Sequence, residues 1–190
     1  MNIPNVLTLL RVFLTFIFAG LIYQENFSYK VAALIVFGVA SFTDFLDGYL
    51  AKRMKACSNF GKIMDPIADK FLMLTAFFIF AQMGLIHAWM FIAIFFREIL
   101  LTGLRLVAVG RGKVLAAEKL GKYKTVAQII AVYLILIFML LKNSSWGFRL
   151  TITTLYFWEL SIYLLMLCTV FLTLVSGSFY LYNNKDYYER

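Results

Sequence analysis

Four aspartates lie close together in a chain that has only ten acidic residues. Asp44 and Asp47 are three residues apart, and Asp65 and Asp69 are four residues apart. On a helix, either spacing places both carboxylates on one face. Four carboxylates that converge in a poorly solvated site repel one another and protonate unless cations are bound. Two divalent cations would neutralise them, and an all-oxygen ligand set favours Mg²⁺ or Mn²⁺ over zinc.

Three roles are compatible with such a cluster of carboxylates. Two divalent ions a few ångströms apart suit in-line displacement at phosphorus. An ion network with nearby lysines and arginines is disfavoured, because each intramembrane acid costs about 2.5–3.5 kcal/mol and four of them require a compensating function. A divalent-cation or proton transporter is the stronger alternative. Against it, the acids lie at one end of their segments, and no series of acids continues along the other segments.

The composition indicates a membrane protein. Of 190 residues, 63% are hydrophobic and 15% are charged, and the mean hydropathy is +0.84. A soluble domain carries about 25% charged residues. The formal charge of +8 comes from basic residues placed between apolar runs, so we expect lipid headgroups rather than nucleic acid as anionic neighbours. At this length a single domain over 1–190 is expected.

Apolar runs predict an all-α polytopic fold with six transmembrane helices. A helix needs about 20 apolar residues to cross the hydrocarbon. The last run is longer than one perpendicular crossing requires, which indicates tilt or an interfacial lead-in. Its aromatic residues are expected to face lipid, the interface or a dimer partner. Pro4 and Pro66 suit the first turn of a helix. The predicted spans are 6–23, 30–51, 65–85, 88–110, 124–142 and 155–182.

The basic residues orient these spans. Eleven lie in the 52–62 and 111–124 connections and the C-terminal tail, against three on the opposite side. The positive-inside rule therefore places both termini and the basic connections in the cytoplasm. Asp44 is eight residues, roughly 12 Å, from Lys52 in the first of these connections, so the carboxylates would lie just beneath the cytoplasmic surface. Four further basic residues lie inside the spans: Arg11, Lys70, Arg97 and Arg105.

The spacing around the aspartates resembles a known signature. The segment from Asp44 to Lys52 reads DFLDGYLAK, and after eight residues Gly61 to Asp69 reads GKIMDPIAD. The CDP-alcohol phosphatidyltransferases carry D-x-x-D-G-x-x-A-R, eight or nine residues, then G-x-x-x-D-x-x-x-D. Seven specified positions agree with this pattern. Lys52 stands where the family has arginine, and lysine contacts a phosphate as a point charge without the bidentate fork.

The resemblance extends to segments 2–11, 97–105 and 120–125, which are similar to the bacterial phosphatidylglycerophosphate synthase subgroup of the family. It implies a reaction in which CDP-diacylglycerol and sn-glycerol 3-phosphate give phosphatidylglycerophosphate and CMP. It also implies a homodimer in the bacterial cytoplasmic (inner) membrane, with the active site facing the cytoplasm. Another acceptor, namely serine, inositol phosphate or phosphatidylglycerol, remains the alternative within the family.

The resemblance also implies roles for individual residues. Asp44, Asp47 and Asp65 match the family's metal ligands, and Asp69 matches the aspartate that is both ligand and general base. The residues expected to contact CDP-diacylglycerol are Gly48, Lys52 and Ser58, with Asn5 and Thr8 from the N-terminal segment.

The second substrate implied by the resemblance is a small phosphate dianion, which basic residues can bind. Arg105, Lys122 and Lys124 are expected to form a cationic clamp for glycerol 3-phosphate. For the two lysines, the alternative is that they are flanking charges of the positive-inside type. Arg97 and Glu98 are expected to neutralise one another or a neighbour. Arg11 serves either substrate binding or helix packing.

Overall fold

A computed structural model describes residues 3–54, 59–110, 120–143 and 151–184, and within these ranges the chain is helical, with no strand. Side chains are described for residues 6–43, 70–108, 121–143 and 151–184. The all-α prediction is confirmed. The helices are α1 (Ile3–Ile22), α2 (Phe27–Met54), α3 (Asn59–Gln82), α4 (Ala88–Gly110), α5 (Leu120–Asn143) and α6 (Ile152–Asn183).

Two of the described helices are long and apolar enough to cross a membrane by length and composition, namely Gly121–Asn143 of α5 and Ile152–Asn183 of α6. Shorter apolar segments occupy Val6–Ile22, Phe27–Thr43 and Lys70–Gln82. Large apolar side chains also cover outward-facing surfaces, which is the arrangement expected of a protein with a lipid-exposed exterior. Examples are Phe13, Phe16, Phe96, Ile152, Phe157 and Phe171, each more than 60% exposed.

Local contacts define the helix ends. Asn26 caps α2, because its side-chain oxygen accepts a hydrogen bond from the Ser28 backbone N–H at 3.1 Å. The buried Lys30 ammonium donates to the Ile22 carbonyl at the C-terminus of α1, where a cation is favourable. Beyond α3, Gly84 has a φ of 71° and permits the backbone reversal that lets Leu85 N–H reach the Phe80 carbonyl at 2.9 Å.

The two prolines differ in their helical positions. Pro4 is the second residue of α1, as predicted. The prediction for Pro66 is wrong, since α3 begins at Asn59 and the proline is its eighth residue. Apolar runs mark only the uninterrupted hydrophobic part of a helix, and Asn59, Gly61 and Lys62 interrupt the start of α3. An interior proline removes one backbone hydrogen bond.

Apart from Lys30, the buried charged residues among those described lie towards one end of the bundle and the apolar core towards the other. Helix α1 packs against α2 and α3, α5 packs against α2 and α6, and α4 packs against α3 and α6. The core includes Phe18, Phe37 and Phe80, all fully buried. Phe37 meets Tyr133 edge-on at a centroid distance of 5.4 Å. At the end where α2 and α4 finish and α3 and α5 begin, buried charged side chains take the place of this core.

Candidate active site

The two aspartate pairs lie on consecutive helices near their shared connection. Asp44 is ten residues before the end of α2 and Asp69 ten residues after the start of α3, about 15 Å along each helix. Asp47 and Asp65 lie seven and six residues from the same ends. The helices contact each other and are joined by four residues, so they form an antiparallel hairpin. The aspartate side chains themselves lie outside those described, and their metal ligation stays a prediction.

The donor chemistry at these positions suits hard cations, because four carboxylates on two helix faces offer only oxygen ligands. Among the side chains that are described, no three His, Cys, Asp or Glu residues come together in a way that could hold a metal ion.

Four of the five residues predicted to bind CDP-diacylglycerol lie on α1 and α2. Gly48 and Lys52 are on α2 and Asn5 is on α1, with side chains outside the described set, and Ser58 lies outside the described residues. Thr8 is 3% exposed on α1, which packs against both α2 and α3. Arg11, three residues further along the same face, is 1% exposed. The interior face of α1 thus presents polar groups towards the hairpin.

Glu98 on α4 is the centre of a buried ionic network. Its side chain is 4% exposed and pairs with cations from three helices. Lys70 Nζ lies 3.0 Å from Oε2, and Arg97 Nη1 donates to Oε1 at 3.1 Å. Lys124 Nζ from α5 donates to the same Oε1. The expectation that Arg97 and Glu98 neutralise one another or a neighbour is confirmed.

Arg97 also fastens α4 to α6. Its Nε donates to the Thr173 carbonyl at 3.1 Å, and its Nη2 donates to Ser176 Oγ at 2.7 Å. Gly177 leaves room for this side chain, since a Cβ there would meet Arg97 Cγ and Nε at 3.2 Å. The position of the guanidinium therefore depends on the absence of a side chain at Gly177.

Gly177→Ala is predicted to displace Arg97 and weaken its bonds to α6. The alanine suits the helix, so intrinsic propensity favours it by about 1 kcal/mol and opposes the packing cost. We expect the turnover of the protein to fall several-fold while its melting temperature in detergent changes little. Gly103→Ala is the matched control, because a Cβ at that helical glycine meets nothing within 4 Å. Equal activity of the two variants would contradict the prediction.

A cavity of about 250 Å³ opens beside the network. Four of the described residues that line it are cationic and none is acidic, so it is suited to an anionic ligand. Arg105 and Lys124, both predicted to bind phosphate, line this cavity. Lys122 is exposed on α5 and is not among its lining residues. The full lining is Lys70, Arg97, Leu101, Arg105, Gly121, Lys124, Thr125, Ser176 and Tyr180.

A second cavity, of about 190 Å³, borders this region. It shares Lys70 and Lys124 with the first cavity. Its lining also includes Ser41, three residues before Asp44, and Met73, four residues after Asp69. The second cavity thus has lining residues about one helical turn from an aspartate position on α2 and on α3, and it borders the cationic cavity through the shared lysines.

Sequence reasoning did not assign ligand roles to Lys70 and Arg97, although both line the cationic cavity. In the sequence, both stand out as basic residues inside apolar runs. An intramembrane cation is by default a functional candidate with a partner. The missing information was which cations share one cavity, because this depends on contacts between α3, α4, α5 and α6.

Comparison with known proteins agrees with the signature in the aspartate hairpin. The family model for CDP-alcohol phosphatidyltransferase matches residues 1–175. The CDP-diacylglycerol–glycerol-3-phosphate 3-phosphatidyltransferase of Bacillus subtilis (strain 168) is 46% identical over 148 residues, which cover 72% of this chain and 77% of the relative. The protein of the same name from Blochmanniella floridana is 32% identical over 96% of this chain and 90% of its own length. The one from Escherichia coli (strain K12) is 35% identical over 68% of this chain and 74% of its own length. The chain belongs to the CDP-alcohol phosphatidyltransferase family.

Proposed function

We propose that this protein transfers the phosphatidyl group of CDP-diacylglycerol to sn-glycerol 3-phosphate, giving phosphatidylglycerophosphate and CMP. The observation that carries the proposal is the cavity lined by four cationic side chains of the described residues, which shares Lys70 and Lys124 with a second cavity that has lining residues one helical turn from Asp44 and Asp69 in the sequence. A phosphate dianion is the complementary acceptor. The name shared by the relatives from three bacteria supports the same pair of substrates.

We propose that the chain is one domain over 1–190, that all six helices cross the cytoplasmic membrane of a bacterium, and that the aspartates lie towards the cytoplasm. The excess of basic residues near the α2–α3 and α4–α5 connections supports this orientation. The exposed aromatic side chains of α6, such as Tyr156 and Phe157, suit lipid or a second subunit of a homodimer.

The aspartates supply the catalytic groups of the proposed mechanism. Asp44, Asp47, Asp65 and Asp69 would hold two Mg²⁺ or Mn²⁺ ions, which when bound stabilise the CMP leaving group and the charge on the attacked phosphorus. Asp69 accepts the proton of the glycerol 1-hydroxyl as that oxygen attacks the phosphorus bearing the diacylglycerol. The new P–O bond forms as the bond to CMP breaks, and positioning of the carboxylate is its main contribution.

The nucleotide end of CDP-diacylglycerol is assigned to the hairpin and to α1. Gly48 leaves room for the ligand, and Lys52 and Ser58 contact its phosphates and cytidine. Asn5 and Thr8 close the pocket from α1, and the burial of Thr8 on the face towards α2 and α3 supports this assignment.

An apolar groove of about 490 Å³ suits the diacylglycerol end. It is lined by α3 and α4, with Phe71, Phe78, Phe91 and Phe95 along its length. Lys70 also lines it, at the level of the ionic network. An acyl chain in this groove would keep the reacting phosphate beside the cationic cavity.

The acceptor phosphate is assigned to the cationic cavity. Arg105 and Lys124 contact it there, joined by Lys70 and Arg97, and Lys122 attracts it from the exposed start of α5. Glu98 holds three of these cations in place without neutralising all of them. Among the described side chains, the formal excess of positive charge favours a ligand with more than one negative charge.

The proposed function is tested with purified protein in detergent, CDP-diacylglycerol, Mn²⁺ and a panel of labelled acceptors. We expect CMP release with sn-glycerol 3-phosphate, and much less with serine, inositol phosphate or phosphatidylglycerol. Release with serine alone would refute the assigned acceptor. Absence of release with every acceptor would refute the enzyme, and ion flux into liposomes would then support the transporter alternative.

A further inference from the structure

Tyr180, near the end of α6, has a buried hydroxyl that the mechanism above does not use. The residue is 4% exposed, and its ring packs with Leu101, Leu104 and Ala108 of α4. Within the part of the chain that the structure describes, its hydroxyl has no hydrogen-bond partner. Buried polar groups are nearly always paired, and an orphaned one indicates a missing partner such as a ligand. Because the ring is fixed by packing, the hydroxyl has a defined position.

The surroundings of Tyr180 indicate which ligand supplies this partner. The side chain lines the cationic cavity together with Arg97, Arg105 and Lys124. The Arg105 guanidinium carbon lies 5.6 Å from the centroid of the Tyr180 ring, within the range of a cation–π contact. The ring thus packs against Arg105, the α4 residue that was predicted from the sequence to bind phosphate. Tyr180 lies beyond residues 1–175, the segment that the family model matches.

We infer that Tyr180 is a specificity-determining residue for the acceptor. Its hydroxyl donates a hydrogen bond to the phosphate of sn-glycerol 3-phosphate, and its ring holds Arg105 towards the same group. This inference rests on the proposed function, since it names a contact of the proposed acceptor.

Physical chemistry favours a tyrosine at this position. Among the described residues, four cationic side chains already line the cavity, and a further one would add repulsion among buried charges. A phenol adds a donor to a phosphate oxygen without adding charge, and a hydrogen bond to a charged group is stronger than one between neutral groups. The hydroxyl also discriminates between acceptors, because an acceptor without the phosphate leaves this buried donor unpaired.

Tyr180→Phe tests the contact, because it removes the hydroxyl and retains the ring beneath Arg105. We expect KM for sn-glycerol 3-phosphate to rise about ten-fold or more, as loss of a hydrogen bond to a charged group implies. KM for CDP-diacylglycerol and the melting temperature should remain unchanged. Tyr156→Phe, at an exposed tyrosine of the same helix, is the matched control and should match the parent protein. An unchanged KM for sn-glycerol 3-phosphate overturns the inference, as does an equal rise in both KM values.

Direct binding separates this inference from the proposed function. Calorimetric titration of sn-glycerol 3-phosphate into the parent protein and into Tyr180→Phe, in detergent without CDP-diacylglycerol, should show about ten-fold weaker binding by the variant. Binding without turnover by the parent protein refutes the proposed function and leaves the contact supported. Equal binding by both proteins overturns the contact even if the parent protein turns over.

Discussion

Glu98→Gln is expected to lower the free energy of unfolding by about 3–5 kcal/mol, the cost of breaking a buried ion pair by removing one partner. The Glu98 side chain is 4% exposed, and its two oxygens contact Lys70, Arg97 and Lys124. Glutamine preserves the shape but supplies no negative charge. The three cations would then lie together in a poorly solvated site, so the penalty exceeds that of one lost hydrogen bond.

The loss is measured by thermal unfolding in detergent. The matched control is Glu159→Gln, which changes an exposed glutamate on α6 and should leave the melting temperature unchanged. Adding Lys124→Gln to Glu98→Gln removes one of the three cations and should recover part of the lost stability. If Glu98→Gln unfolds at the temperature of the parent protein, the ionic network does not stabilise the bundle.

Glu98 links the stability of the bundle to the proposed acceptor site. Lys70, Arg97 and Lys124 come from α3, α4 and α5, and each also lines the cationic cavity. A carboxylate that holds all three before the acceptor arrives reduces the entropy lost when the acceptor binds. We therefore expect a folded Glu98→Gln protein to show a raised KM for sn-glycerol 3-phosphate.

Most of the helical architecture followed from apolar runs. The predicted spans 88–110 and 124–142 agree closely with α4 and α5, because connections rich in charge interrupt the apolar residues there. The start of α3 could not be located in this way. Asn59, Gly61 and Lys62 interrupt the apolar residues at the start of the helix, so Pro66 appeared to lie at its beginning.

The candidate site was only partly predictable because it depends on contacts between helices. The sequence did not distinguish Lys122 from Lys124 as a phosphate ligand. Residues two apart nevertheless point to opposite sides of a helix. The structure makes Lys122 exposed and Lys124 buried beside Glu98. The expectation that the aromatics of the last helix face outward is wrong for Tyr180, which is 4% exposed. Only packing of α6 against α4 distinguishes it from its exposed neighbours.

Asp69→Asn is expected to lower turnover by about 10²- to 10⁴-fold, the usual contribution of a positioned general base. Asparagine has nearly the same size and keeps one oxygen for a cation, but it cannot accept the proton of the glycerol 1-hydroxyl. Binding of Mn²⁺ and of CDP-diacylglycerol should therefore fall much less than turnover. The rate is followed as CMP release, and binding by calorimetric titration with Mn²⁺ alone and then with CDP-diacylglycerol.

Asp65→Asn provides the comparison, since Asp65 lies one turn earlier on α3 and is proposed to be a ligand only. In that variant, binding and turnover should decrease together. The same joint decrease in Asp69→Asn would make Asp69 chiefly a ligand and require the base to lie elsewhere. We expect binding and turnover to separate in Asp69→Asn, because Asp69 is the proposed base. Asp69 directly precedes Lys70, which lines the cationic cavity, so the proposed base and a proposed phosphate contact are consecutive residues of α3.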